Sequence, residues 1–117
     1  MSLTDFRTLG RSGLVVSPLA LGTMTFGTAR WGSTDEVSQA IFNAYVDAGG
    51  NFVDTADVYA GGRSEELLGS YLAERKLRDK LVLATKFGFS AEVGNPNASG
   101  NGRKQIYRAL EGSLRRL

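Results

Sequence analysis

Three short apolar runs recur along the chain at nearly constant spacing. "PLALGT" ends at Thr23, "NFVDT" carries Asp54 and "LVLATK" ends at Lys86, so these strand ends fall 31 and then 32 residues apart. Two stretches with helical periodicity separate the runs, and a third follows the last one. Parallel strands need a crossover of a dozen or more residues, and a helix is the usual one. The alternation therefore predicts an α/β chain of parallel strands with crossover helices. The units share no sequence identity, so the period belongs to the structure and is not a sequence repeat.

Local signals place the elements. "FRTLGRSGLVVS" at 6–17 predicts a hairpin turning at Gly10-Arg11-Ser12-Gly13. A buried strand is expected over 18–23, with Pro18 at its start, where a missing N–H matters least. Ser33 and Glu36 have the spacing of a capping box, and Val37, Ala40, Ile41, Ala44 and Tyr45 then form the expected apolar face. Gly49-Gly50 stops that helix. The second helix is expected from Ser64, with Glu65 and Glu66 at its positive end and Leu67, Leu68, Tyr71 and Leu72 inward. A glycine- and asparagine-rich loop leads to a third helix from Arg103, with Ile106, Ala109, Leu110, Leu114 and Leu117 on one side.

Composition narrows the chemistry. The 117 residues suit one small domain, spanning 1–117, and 42% apolar with 22% charged residues argues against disorder. A net charge of +2 without a basic patch argues against nucleic acid as a partner. The chain has no cysteine and no histidine, which excludes thiolate chemistry and removes the commonest general base and zinc ligand; no metal site is expected. The N-terminus lacks the pattern of a signal peptide, and the longest apolar stretch, "LVVSPLALG", is too short to span a membrane. A cytoplasmic setting is the expectation.

In parallel βα architectures the chemistry gathers at the C-terminal ends of the strands. Here those ends hold Gly22-Thr23, Asp54 and Lys86, with Tyr59 in the loop just above. A phenol ordinarily titrates near pH 10, and an ammonium within a few ångströms favours its phenolate. A carboxylate beside the ammonium holds it in place and keeps it charged. Asp54, Tyr59 and Lys86 thus form a candidate proton-donating set, with the tyrosine as donor, the lysine as tuner and the aspartate as anchor. Each residue taken singly also suits a turn or packing role. Asp57 reads as loop chemistry. Trp31, isolated in a glycine-rich loop on the same face, suits either a substrate pocket or packing. "LGTMTFG" lacks the spacing of a phosphate-binding glycine motif, which weakens a small flavodoxin-like alternative.

These segments resemble the aldo/keto reductases. "LALGTMTFG", "GGNFVDTADVYAGGRSEELLG", "LVLATKFG" and "IYRALEGSLRRL" follow one another at natural spacing over nearly the whole chain. The specific pattern is an Asp-Thr-Ala-x-x-Tyr run leading into Gly-x-Ser-Glu-x-x-Leu-Gly. The resemblance implies an N-terminal hairpin plus the first three βα units of a (β/α)8 TIM barrel, incomplete as given. It implies an oxidoreductase that reduces aldehydes or ketones with NADPH, NADH being left open. Asp54, Tyr59 and Lys86 match three of the family's four catalytic residues; the fourth, a histidine, follows a fourth strand. Gly22, Thr23 and Met24, with Asp54, match the segment lying against the cofactor. A barrel of this type needs about 250 residues, so the 117-residue chain alone is expected to be inactive. The alternative is a non-catalytic partial barrel that associates with itself, through an exposed strand edge, or with a partner chain.

Overall fold

A computed structural model describes residues 1–28 and 30–117. The hairpin is present. β1 (Arg7–Thr8) and β2 (Val15–Val16) pair antiparallel, Arg7 opposite Val16, and the turn between them passes through Gly10 and Gly13, both at positive φ. Asn51 ties this hairpin to the root of the main sheet. Its Oδ1 accepts from the Ser17 amide at 2.7 Å, and its Nδ2 donates to the Val15 carbonyl at 2.9 Å.

β3 (Leu21–Gly22), β4 (Phe52–Asp54) and β5 (Val82–Ala84) form a parallel sheet in the order β3-β4-β5. The register sets Gly22 beside Asp54 and Asp54 beside Ala84. The strand expected over 18–23 shrinks to two residues, and it is not buried: Leu19, Ala20 and Gly22 are exposed. Among the described residues β3 is paired on one side only, so its other edge lacks the cover a central strand has.

α1 (Asp35–Asp47) and α2 (Arg63–Arg75) cross over between the strands and are pinned together at both ends. Arg63 reaches Asp35 at 2.7 Å near their N-termini, and Arg75 reaches Asp47 at 2.6 Å near their C-termini. The two helices therefore run side by side in the same direction, as parallel strands require. The expected capping box does not form. Thr34 caps α1 instead, its hydroxyl accepting from the Val37 amide. Ser33 is taken up by the neck of the preceding loop, where its amide donates to the Thr25 carbonyl at 2.9 Å and its hydroxyl lies 2.9 Å from that of Ser38.

The core is centred on α2. Leu67, Leu68, Tyr71 and Leu72 are buried as expected, with Val53 of β4, Phe26, Leu77, Leu81 and Phe42 of α1 around them. The Phe42 and Tyr71 rings meet at 5.3 Å between centroids. α1 thus faces inward through Ser38 and Phe42, while Val37, Ala40, Ile41 and Ala44 of the expected stripe are exposed. Tyr45 explains the rotation. Its hydroxyl sits between the Leu19 and Phe52 carbonyls at 2.8 and 2.9 Å and accepts from the Phe52 amide, which turns the neighbouring Phe42 and Val46 positions toward the core.

α3 (Arg103–Arg116) departs further from expectation. Its buried residues are Gln105, Ala109, Gly112 and Ser113, while Ile106, Leu110 and Leu114 stay exposed. The reason is close approach between helices: a Cβ on Gly69 of α2 would fall 1.9 Å from the Arg116 carbonyl oxygen. That contact admits small side chains and excludes isoleucine and leucine. Among the described residues no helix is long and apolar enough to cross a membrane.

The two faces of α1 make a direct test. Phe42→Ala is expected to cost about 3–5 kcal/mol of folding stability, whereas Ile41→Ala is expected to cost about 1 kcal/mol or less. Urea denaturation of both variants checks the ordering, and the reverse ordering would restore the stripe inferred from sequence.

Candidate active site

The parallel register fixes where the strand-end side chains stand. Beyond Asp54 and Ala84 the backbone stays stitched: the Thr55 amide donates to the Ala84 carbonyl at 2.8 Å, and the Asp57 amide donates to the Lys86 carbonyl at 3.0 Å. Lys86 is therefore held beside β4 and turns its ammonium onto it. Lys86 Nζ donates to Asp54 Oδ2 at 2.6 Å and to the Thr55 carbonyl at 2.7 Å. The same Nζ lies 5.0 Å from the centroid of the Tyr59 ring. The structure thus brings together Asp54, Tyr59 and Lys86, singled out from sequence.

A strained turn presents the tyrosine. Ala60, directly after Tyr59, adopts φ 50° and ψ 36°, and Gly61 follows at φ 64°. The left-handed region costs a residue with a Cβ about 1–2 kcal/mol. That strain, continued at Gly62 with φ 99°, lets the chain reverse in the three residues between Tyr59 and the start of α2.

A buried hydroxyl network underlies the cluster. Thr23 Oγ1 donates to the Asp54 carbonyl at 3.1 Å, Ser64 Oγ donates to the Thr23 carbonyl at 2.9 Å, and Thr55 Oγ1 lies 3.2 Å from Ser64 Oγ. Of the residues matched to a cofactor-facing segment, Gly22 stands beside Asp54 in the ladder, Thr23 is fully buried with its hydroxyl engaged, and Met24 is half exposed. Trp31 is 63% exposed.

Sequence reasoning missed Glu65. Expected only to favour the positive end of α2, it is fully buried. Its carboxylate accepts from Thr85 Oγ1 and from Arg116 Nε, each at 2.6 Å. It joins the end of β5 to the end of α3. The partners lie 20 and 51 residues away in sequence, so no local pattern announces them. Phe87 and Phe89 were missed as well. With Ala56, Asp57, Val58, Tyr59 and Lys86 they line a cavity of about 170 Å³ at the cluster, and Trp31, Gly22, Thr23 and Met24 do not. An apolar wall next to a tyrosine and a lysine suits a flat or carbonyl-bearing organic group better than a phosphate.

Comparison with known proteins places the chain in a family. The sequence pattern of the aldo/keto reductase family matches residues 18–117. The chain belongs to the aldo/keto reductase family. It is 43% identical over 115 residues to a norsolorinic acid reductase of Emericella nidulans, covering 91% of this chain and 30% of that protein. It is 37% identical over 110 residues to an aryl-alcohol dehydrogenase of Pestalotiopsis microspora, covering 87% and 29% respectively. In three dimensions it resembles the holo form of an aldo-keto reductase from Bacillus halodurans, with a TM-score of 0.80 and 34% identity over 96% of this chain and 36% of that one. The chain thus has an α/β fold similar to that of aldo/keto reductase barrels, and it spans about a third of the length of the two curated relatives.

Electrostatics at the cluster centres on Lys86. Partial burial, the largest single influence, works to lower its pKa, but its interactions with Asp54 and Tyr59 together outweigh burial, and the value rises above the ordinary 10.5. The folded chain therefore holds this proton more tightly than the unfolded chain. The resulting stabilisation is fully present below 10.5 and is lost as pH climbs through the raised folded-state value. Asp54→Asn removes a raising influence, so the Lys86 pKa is expected to fall; a side-chain NMR titration of Lys86 in both proteins measures it. An unchanged value would show that the ion pair does not persist in solution.

Proposed function

We propose that this chain carries the proton-donating part of a site that reduces aldehydes or ketones to alcohols with a nicotinamide cofactor. Membership of the aldo/keto reductase family supports reading it as part of an oxidoreductase. The observation that carries the finer reading is the convergence of Lys86 Nζ on Asp54, at 2.6 Å, and on the Tyr59 ring, at 5.0 Å, beside an apolar cavity. The chain would supply the hairpin and the first three βα units of a (β/α)8 barrel.

The residues fit the cofactor in part. Ala56, Val58, Phe87 and Phe89 offer an apolar surface suited to an uncharged ring, and Gly22, Thr23, Met24 and Asp54 are matched by resemblance to the segment alongside it. When bound, a reduced nicotinamide supplies the two electrons and the hydrogen that the carbonyl carbon receives. The protein's part is the proton. Tyr59 Oη gives its proton to the carbonyl oxygen as that oxygen gains negative charge, leaving a phenolate. The Lys86 ammonium stabilises that phenolate, and Asp54 holds the ammonium in place. NADPH is the expected cofactor, with NADH open. Trp31 is the candidate substrate contact from the neighbouring loop. A cytoplasmic setting belongs to the same reading.

One observation favours a second reading. The Ile106, Leu110 and Leu114 stripe of α3 and the side chain of Val93 are exposed apolar surface. They suit a non-catalytic partial barrel that associates with itself or a partner chain.

In an enzyme completed to the relatives' length, Tyr59→Phe is expected to lower kcat by about 10² to 10⁴ and to leave NADPH binding, followed by fluorescence, nearly unchanged. Reduction of an aromatic aldehyde at close to the parental rate would remove Tyr59 from the mechanism. In the same assay the 117-residue chain by itself is expected to show no turnover. Turnover by this chain alone would overturn the view of it as part of a site. Inactivity of the completed enzyme, together with oligomers in sedimentation, would favour the second reading.

A further inference from the structure

Three threonines stand in one row at the ends of the parallel strands. Gly22, Asp54 and Ala84 lie side by side in register, and Thr23, Thr55 and Thr85 each follow one residue later. Successive side chains of a strand point to opposite faces. The threonines therefore turn away from the face that carries Asp54 and Lys86, and all three hydroxyls meet the first turn of α2. Ser64 Oγ lies 3.0 Å from Thr23 Oγ1 and 3.2 Å from Thr55 Oγ1, and Glu65 Oε1 accepts from Thr85 Oγ1 at 2.6 Å. Thr23, Thr55, Ser64 and Glu65 are buried, whereas Thr85 is exposed.

The Thr85 end of this row bears on Lys86. The Thr55 carbonyl, which a continued parallel ladder would offer to the Lys86 amide, accepts from Lys86 Nζ at 2.7 Å instead. The backbone of Lys86 is held to the loop after β4 through its carbonyl, by the Asp57 amide at 3.0 Å. The Thr85 hydroxyl supplies a second hold, from the opposite face. Its acceptor is a carboxylate, and charged acceptors make the stronger hydrogen bonds. That carboxylate cannot follow a drifting strand, because its other oxygen is fixed by Arg116 Nε at 2.6 Å. Tyr59 lies just before the same helix, on the strained turn that leads into Arg63. One helix start thus sits at the root of the tyrosine and, through Thr85, at the root of the lysine.

We propose that Thr85 and Glu65 are positioning residues of the proton-donating site: Glu65 Oε1 holds the Thr85 hydroxyl, and this bond sets the backbone from which Lys86 reaches both Asp54 and the Tyr59 ring. The consequence for rate rests on the reading of that cluster as a proton donor; the consequence for Lys86 itself does not.

Thr85→Val breaks the bond at an exposed position and leaves the Glu65–Arg116 pair in place, whereas replacing Glu65 would also loosen α3. Partial burial lowers the Lys86 pKa, and Asp54 and Tyr59 together raise it by more. A side-chain NMR titration of the 117-residue chain is therefore expected to show the Lys86 value falling toward the ordinary 10.5 in Thr85→Val. Thr85→Ser keeps the hydroxyl and is expected to return the parental value. A change in stability alone would leave the Lys86 pKa of the folded chain where it was. A value unchanged in Thr85→Val, or lowered equally in both variants, would overturn the proposal. In an enzyme completed to the relatives' length, Thr85→Val is expected to lower kcat by about tenfold to a hundredfold, with KM for an aromatic aldehyde changed by less than about twofold, and Thr85→Ser to recover the rate. A parental kcat in Thr85→Val beside a slow Tyr59→Phe would overturn the positioning role and leave the proton-donor reading standing. A parental rate in Tyr59→Phe would overturn the proton-donor reading itself, with the Lys86 titration still deciding the hold on the ammonium.

Discussion

Asp54 stands opposite Ala84 in the parallel ladder, and two residues further on Lys86 turns back to reach it. A slip of one residue in that register would send one of the two side chains to the other face of the sheet. The register is held beyond the strands by the Thr55 and Asp57 amides, which continue the bonding to the Ala84 and Lys86 carbonyls. Because the loop after β4 is stitched to β5 in this way, Tyr59 has a fixed distance to Lys86. The ion pair itself adds little to stability. Its side chains are 47% and 40% exposed, and exposed pairs contribute about 0–1 kcal/mol. Its value lies in where it holds the ammonium.

The opposite balance holds at Glu65. A fully buried carboxylate is expensive unless it is paired and hydrogen bonded, and Glu65 is both, through Arg116 and Thr85. Losing one partner of a buried pair costs about 3–5 kcal/mol, because the other charge is left uncompensated. Glu65 therefore fastens α3 to α2 and steadies Thr85, the residue next to Lys86. The small-residue contact at Gly69 brings the helices close enough for the pair to form. One exposed ion pair positions the cluster, and a buried one holds the frame beneath it.

What was legible in the sequence follows physical lines. The strand-helix alternation announced the parallel sheet, because period and length are local properties. The Asp-Thr-Ala-x-x-Tyr run announced the cluster, because strand ends in such sheets converge. The apolar stripes on α1 and α3 were visible, but a stripe does not say which way it faces. On α1 the Tyr45 hydroxyl, anchored to Leu19 and Phe52, turned Phe42 inward. On α3 the close approach at Gly69 selected Ala109, Gly112 and Ser113 over the leucines. Ser33 lost its expected capping role to the Thr25 carbonyl, a partner eight residues back. Glu65, Phe87 and Phe89 escaped because their importance comes from residues distant in sequence.

The central claim is that Asp54 acts through Lys86, so that the two behave as one unit toward Tyr59. A double-mutant cycle on kcat/KM for carbonyl reduction, using Asp54→Asn and Lys86→Met in an enzyme completed to the relatives' length, tests this most directly. The expected result is strong non-additivity: once Lys86 is gone, removing the Asp54 charge should change the rate by no more than about twofold. Losses that add in full would mean that the two side chains contribute independently and would contradict the account.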